Sequence, residues 1–228
     1  MHKVSDFRLG VIMLNTHFPR VIGDIGNPDS FSFPVLYRTV PSAKVDAIVT
    51  PKGVDPAVKE DILAILDRLN DEGADLIVTT CGFLGEMQTE LQSYSPTPVL
   101  TSSLMTIPFV RNIIGSGKKI GVLTFDAKSL NQKHFNGHYG DDIIIGEIPK
   151  DGHLYKVIKQ DLPALDEEKA EAETVNAALQ LINTHPDIEA IVLECTNLSP
   201  YINQIRETIK RPVFDIIQAI NWFRNSKA

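Results

Sequence analysis

Cysteine is nearly absent from this sequence, which has only Cys81 and Cys195 in 228 residues. Two thiols so far apart build no disulfide framework, so the chain is expected in a reducing compartment, the cytoplasm. Long apolar runs are lacking as well. None approaches the ~18 residues of a membrane span, and the opening MHKVSD carries no apolar stretch of a secretory leader, so no membrane is expected as a partner. Positive charge is in deficit: 22 Lys and Arg stand against 29 Asp and Glu, a net −7. With no clustered basic surface in sight, nucleic acid is excluded from the expected partners. A phosphate-binding glycine motif is missing, Gly23 to Gly26 being only a turn-like cluster. The six histidines show no ligand spacing. His134 and His138 stand four apart, but Gly137 between them breaks the helix a metal site would need. Neither metal nor other cofactor is expected.

The sequence does contain a repeat. A-D-L-I-V-T-T-Cys81-G-F-L aligns without a gap on I-E-A-I-V-L-E-Cys195-T-N-L, at an offset of 195 − 81 = 114. R-L-Gly10-V-I-M-L recurs as K-I-Gly121-V-L-T-F, and Pro98-Val99 recurs as Pro212-Val213. Asp55 and Asp166 each open a helical pattern at matching places. The pattern predicts an α/β fold of two pseudosymmetric lobes with mainly parallel sheets and a site in the interlobe cleft. One lobe comprises 1–104 with 212–228 and carries Cys81; the other, 105–211, carries Cys195. Strands are expected at Leu9 to Leu14, Val45 to Val49 and Leu76 to Val78, and again at Ile120 to Phe125, Ile143 to Ile148 and Ile188 to Leu193. A helix after Asp55-Pro56 presents Val58, Ile62, Ile65, Leu66 and Leu69 on one stripe. Its counterpart after Asp166 presents Ala172, Val175, Leu179 and Ile182. Gly10 and Gly121, inside strands, are expected as packing devices. Such sheets bind ligands at the carboxyl ends of their strands, where both cysteines lie. One thiol on each lobe suits acid/base chemistry on opposite faces of one small molecule. Gly10 to Val45 is 13 residues longer than Gly121 to Ile143 (35 against 22), so the stretch from Thr16 to Pro28 is expected to be an active-site loop or lid.

With Cys81 in T-T-C-G and Cys195 in E-C-T-N, the repeated lobes resemble the aspartate/glutamate/hydantoin racemase superfamily over essentially the whole chain. The resemblance implies a pseudosymmetric, cofactor-independent enzyme with one catalytic cysteine per lobe. Glutamate racemases typically have Cys-Asn-Thr and Cys-Thr-His where this chain has Cys81-Gly82-Phe83 and Cys195-Thr196-Asn197. Their acidic residue after the first strand is replaced by Asn15-Thr16, with Asp24 farther along the loop. The chain is therefore more similar to the broader branch of the superfamily than to peptidoglycan-type glutamate racemases.

The function this implies is an isomerase of amino-acid metabolism, an aspartate/glutamate-type racemase or epimerase working without pyridoxal phosphate. A thiol/thiolate pair, Cys81 and Cys195, would move the α-proton in a two-base mechanism. Backbone N–H groups following each cysteine would lower its pKa and hold a carboxylate. Gly82, Thr196 and Asn197 are the expected contacts beside the cysteines. Asn15, Thr80 and Thr124 come from adjacent strand ends. Arg20 is placed to grip a carboxylate and Asp24 an ammonium group, unless the two form a loop ion pair with no substrate role. Glu194 either assists Cys195 or pairs with a neighbour. Two alternatives stand beside the racemase: a decarboxylase or cis-trans isomerase of a small dicarboxylate, and a non-catalytic small-ligand binding protein. The expected partner is a small amino acid or dicarboxylate, with a homodimer as the default assembly.

Overall fold

Strands rich in Val, Ile and Leu pair only in parallel in the computed structural model, which describes residues 7–227. The MHKVSD segment considered above lies outside the described residues. In chain order the elements are β1 (Leu9–Leu14), β2 (Val35–Val40), α1 (Val45–Ile48), α2 (Pro56–Asp71), β3 (Leu76–Thr79), α3 (Gln88–Tyr94), β4 (Val99–Leu100) and α4 (Ile107–Ile114). The second half follows with β5 (Lys119–Thr124), β6 (Ile143–Glu147), α5 (His153–Gln160), α6 (Glu167–Thr184), β7 (Ile188–Leu193), α7 (Ile202–Ile209), β8 (Val213–Phe214) and α8 (Ile216–Ser226). One sheet runs β2-β1-β3-β4 and the other β6-β5-β7-β8. The two orders superpose, and the fold is the expected pair of pseudosymmetric α/β lobes.

The repeated glycines have the same task in each lobe. A Cβ on Gly10 would sit 3.0 Å from Ala74 Cβ and 3.3 Å from Leu69, and one on Gly121 would sit 3.1 Å from Leu181 and 3.3 Å from Ile188. Bare strand backbone at these points lets a helix leucine rest directly on the central strand. The helices begin where their caps dictate. Asp55 accepts the Ala57 N–H at 2.9 Å and Asp166 accepts the Lys169 N–H at 3.1 Å, each satisfying an orphan donor of the first turn.

Three expectations are corrected. Val45 to Val49 is not the second strand: Val45–Ile48 forms a short helix, and β2 lies ten residues earlier at Val35–Val40. Thr50-Pro51 cuts the apolar run, whereas Val35–Val40 meets β1 in unbroken register, Leu9 to Leu14. The first lobe's excess after its first strand therefore shrinks. Gly10 pairs with Leu36 and Gly121 with Ile144, spacings of 36 − 10 = 26 and 144 − 121 = 23. On α6 the buried face is Ala170, Thr174, Ala177, Ala178 and Leu181; Ala172 is exposed, and Val175, Leu179 and Ile182 are only partly buried. Alanines let the helix axis come close to the sheet, so the small residues mark the contact face here.

After β4 the chain crosses to the second sheet, and after β8 it crosses back. Ile107 and Val110 of α4 pack in one core with Ile120 and Val122 of β5, while Ile216 and Ile220 of α8 pack with Leu9, Val11 and Leu76 of the first sheet. β8, expected with the first lobe, pairs with β7 of the second sheet. No helix among the described residues is long and apolar enough to cross a membrane.

The lobes also meet at backbone level. A Cβ on Gly85 would lie 2.1 Å from the His134 carbonyl oxygen across the seam. Gly85→Ala must push the lobes apart and should lower stability by about 1–3 kcal/mol. Urea unfolding measures this, and an unchanged midpoint would show that the seam is not tightly packed at this point.

Candidate active site

Both cysteines stand where a strand stops and a tight turn begins. Thr80-Cys81 follows β3, Glu194-Cys195 follows β7, and each cysteine caps a six-residue 3-10 turn, Gly82–Met87 and Thr196–Tyr201. A narrow cavity lies between the lobes and is lined by both thiols. The two strand ends are joined by a hydrogen bond, Thr196 Oγ1 donating to the Thr80 carbonyl at 2.9 Å, and Ser103 Oγ, from the turn after β4, donates to the Leu193 carbonyl at 2.6 Å.

Of the residues singled out in the sequence, Thr16, Arg20, Thr80, Gly82 and Asn197 line the cavity beside Cys81 and Cys195. Four do not. Asn15 donates its side-chain N–H to the Pro41 carbonyl and faces a separate outer groove. Thr124 is fully buried and donates to Glu194 Oε2 at 2.5 Å. Thr196 spends its hydroxyl on Thr80. Asp24, 2% exposed, has both carboxylate oxygens occupied. Oδ1 accepts from Arg20 Nη1 at 2.9 Å and the Gly26 N–H at 2.6 Å, and Oδ2 accepts from Asn197 Nδ2 at 2.6 Å. It positions Arg20 and Asn197 and offers nothing to a substrate ammonium group.

The loop after β1 is held in place from the opposite lobe. Asp161, in the left-handed conformation at φ 52°, accepts the backbone N–H groups of His17 and Phe18 at 2.6 and 2.9 Å and pairs with His17 Nδ1 at 2.8 Å. Burial opposes ionisation of Asp161, but these hydrogen bonds outweigh it and keep its carboxyl below the usual range. Thus anchored, the loop sets Phe18 and Arg20 on the wall, with the guanidinium 4.8 Å from the Phe18 ring centre.

Sequence reasoning missed the apolar wall. Phe18, Phe83, Phe125 and Ile158 face the cavity, and Phe125 is stacked on Tyr155 at 4.5 Å. The signal was available, because Phe83 and Phe125 lie one or two residues beyond strand-end positions already selected.

Glu194 also lines the cavity, 1% exposed. Its Oε1 has no hydrogen-bond partner among the described residues. Burial pushes its carboxyl up to about 7, against the hydrogen bonds from Thr124 and the Phe125 N–H. Gly82 makes room for it, since a Cβ there would stand 2.3 Å from Glu194 Oε1. Burial pushes the Cys81 and Cys195 thiols well up too, and the Glu194 charge adds to this. The N–H groups of Phe83 and Asn197 pull the other way and are outweighed, so the expected lowering by helix N-termini does not prevail. Among the described residues, no group of three or more His, Cys, Asp or Glu side chains converges as metal ligands would.

Residues 29–223 match the family described as Asp/Glu/Hydantoin racemase. A dimethylsulfoniopropionate lyase of Durusdinium sp. clade D is 33% identical over 97% of this chain and 75% of its own length. Dimethylsulfoniopropionate lyase 7 of Emiliania huxleyi (strain CCMP1516) is 29% identical over 94% of this chain and 65% of its own. Among solved structures, allantoin racemase from Klebsiella pneumoniae aligns at a TM-score of 0.58 and 15% identity, over 92% of this chain and 82% of that one. That likeness concerns the fold alone. The lyases overturn the expected function: amino-acid racemase, isomerase and a place in amino-acid metabolism give way, because relatives at about twice the sequence identity carry a different reaction.

The buried carboxylate makes stability depend on pH. Its folded pKa of about 7 exceeds the ordinary 4.5, so the folded state holds a proton that the unfolded chain has released, and stability falls as pH rises between these values. Glu194→Gln keeps an acceptor for Thr124 and removes the charge. It should stabilise the protein by roughly 1–3 kcal/mol near pH 8, with the gain shrinking toward pH 5. Urea titrations at both pH values check this, and an equal effect at both would refute the buried-charge assignment.

Proposed function

We propose that this chain, which belongs to the Asp/Glu/Hydantoin racemase family, is a lyase that splits a small sulfonium carboxylate of the dimethylsulfoniopropionate type. In such an elimination a base removes a proton from the carbon beside the carboxylate. Those electrons form the carbon–carbon double bond, and the carbon–sulfur bond breaks with its electron pair going to sulfur. Dimethylsulfoniopropionate thereby gives dimethyl sulfide, acrylate and one proton.

The observation that carries this function is the composition of the wall: Phe18, Phe83 and Phe125 surround the thiols, and Asp24, the expected ammonium acceptor, is fully engaged. A dialkylsulfonium group is cationic yet has no N–H to satisfy, so aromatic faces suit it where an ammonium group would need acceptors. Arg20, its side chain 8% exposed, supplies the grip for the substrate carboxylate. The base is a thiolate of the Cys81/Cys195 pair. Burial favours the protonated form of both thiols, and entry of a cation beside them favours ionisation. Elimination needs a base on one face only, so a matched thiol pair is not evidence for racemisation. Free thiols call for a reducing compartment such as the cytoplasm.

Purified chain given dimethylsulfoniopropionate should release dimethyl sulfide, measured by gas chromatography, with acrylate appearing in equal amount by NMR. Folded protein that yields neither would overturn the proposal. Replacing the basic cysteine by Ala should cut turnover by about 10²–10⁴; if Cys81→Ala and Cys195→Ala both stay fully active, neither thiol is the base. Phe125→Ala should raise KM by roughly 2- to 30-fold, corresponding to about 0.5–2 kcal/mol of lost cation–π attraction. An unchanged KM would remove that ring from the sulfonium site.

A further inference from the structure

Glu194 is the only carboxylate among the described residues lining the cavity, and its two oxygens are unequal. Oε2 accepts from Thr124, while Oε1 is buried without a partner. Oε1 comes up against Gly82, whose missing Cβ leaves it room beside the Cys81 peptide. The thiols are unequal too. Cys195 Sγ donates toward Asn197 Oδ1 at 3.6 Å, whereas Cys81 accepts the Phe83 N–H and, among the described residues, has no hydrogen bond that takes its own proton. A half-buried thiol lacking an acceptor and a buried carboxylate oxygen lacking a donor thus face one cavity from neighbouring strand ends.

We propose that Glu194 is the proton acceptor that converts Cys81 to its thiolate. The Sγ–H bond of Cys81 breaks, an O–H bond forms on Glu194 Oε1, and the negative charge moves from carboxylate to sulfur. The step is uphill in the empty cavity, because burial and the Glu194 charge hold the thiol a weaker acid than the Glu194 carboxyl, so only a small standing fraction of thiolate forms before substrate enters; its use rests on the lyase proposal. The thiolate then takes the substrate's α-proton as the carbon–sulfur bond breaks. Cys81 is a thiol again, Glu194 is protonated, and loss of that proton to water restores the starting state. The other groups facing this carboxyl are Thr124 from β5, the Cys195 thiol from its own strand end, and Arg20 from the loop, with Asp24 paired to it. None of these accepts a proton from Cys81 at neutral pH.

The test is the rate at which iodoacetamide alkylates Cys81, followed by mass spectrometry of the intact protein's peptides between about pH 5 and pH 10. With the acceptor ionised above about 7, wild-type alkylation should rise through that pH to a plateau before the thiol titrates on its own. Glu194→Gln should lose this step and Glu194→Asp should retain one. In the lyase assay Glu194→Gln should lower kcat by about 10²–10⁴ with little change in KM, and the limb of its pH profile near 7 should vanish. Folded Glu194→Gln protein with an unchanged Cys81 profile would overturn the proposal. The two proposals fail separately. A Glu194-dependent alkylation step without dimethyl sulfide release sinks the substrate and upholds the acceptor. Dimethyl sulfide release with no effect of Glu194→Gln sinks the acceptor alone.

Discussion

A carboxylate pressed against a glycine across the seam of two lobes is the constraint on which the site depends. Glu194 comes so close to Gly82 that any side chain there would collide with Oε1. That approach removes water from the carboxyl, raises its pKa and, through its charge, raises those of both thiols. The same contact fixes how the two strand ends meet and therefore where the cavity lies. Burying a charge with one oxygen unpaired opposes folding, and the energy is supplied by a core that runs from Ile12 and Leu14 through to Ile120 and Val192 without a break between lobes.

Around that seam the loop after β1 works as a preorganised arm. Asp24 holds Arg20 and Asn197, Asp161 reaches from the other lobe to hold His17 and Phe18, and a Cβ on Gly26 would collide with the Arg20 side chain at 2.3 Å. A guanidinium fixed in this way recognises a carboxylate with little further loss of side-chain entropy. On the proposed function, the anionic end of the substrate is addressed by charge and the rest of it by aromatic surface.

The fold does not choose the reaction. Two thiols at equivalent strand ends suit moving a proton on or off a carbon beside a carboxylate in either reaction. Whether the proton returns on the other face or a leaving group departs depends on the substrate, which the proposed function has the wall select. The shared architecture therefore spans racemases and lyases, and a cysteine pair taken alone does not tell them apart.

Much of this architecture was legible in the linear order of residues. Matching strand ends, glycines under helix leucines, capping aspartates and the alternation of apolar strands with amphipathic helices are local patterns, and local patterns survive in sequence. They determined two α/β lobes with a thiol on each. What tertiary structure decided involves distance between remote segments. Asp24 is engaged by Asn197, 173 residues away, and Thr124 serves Glu194 at a separation of 70, so neither lines the cavity of the thiols. Val45–Ile48 is a helix, and the place beside β1 is taken by Val35–Val40. The aromatic wall and the pKa of Glu194 exist only once the lobes close, since burial and the water it excludes belong to no single stretch of chain.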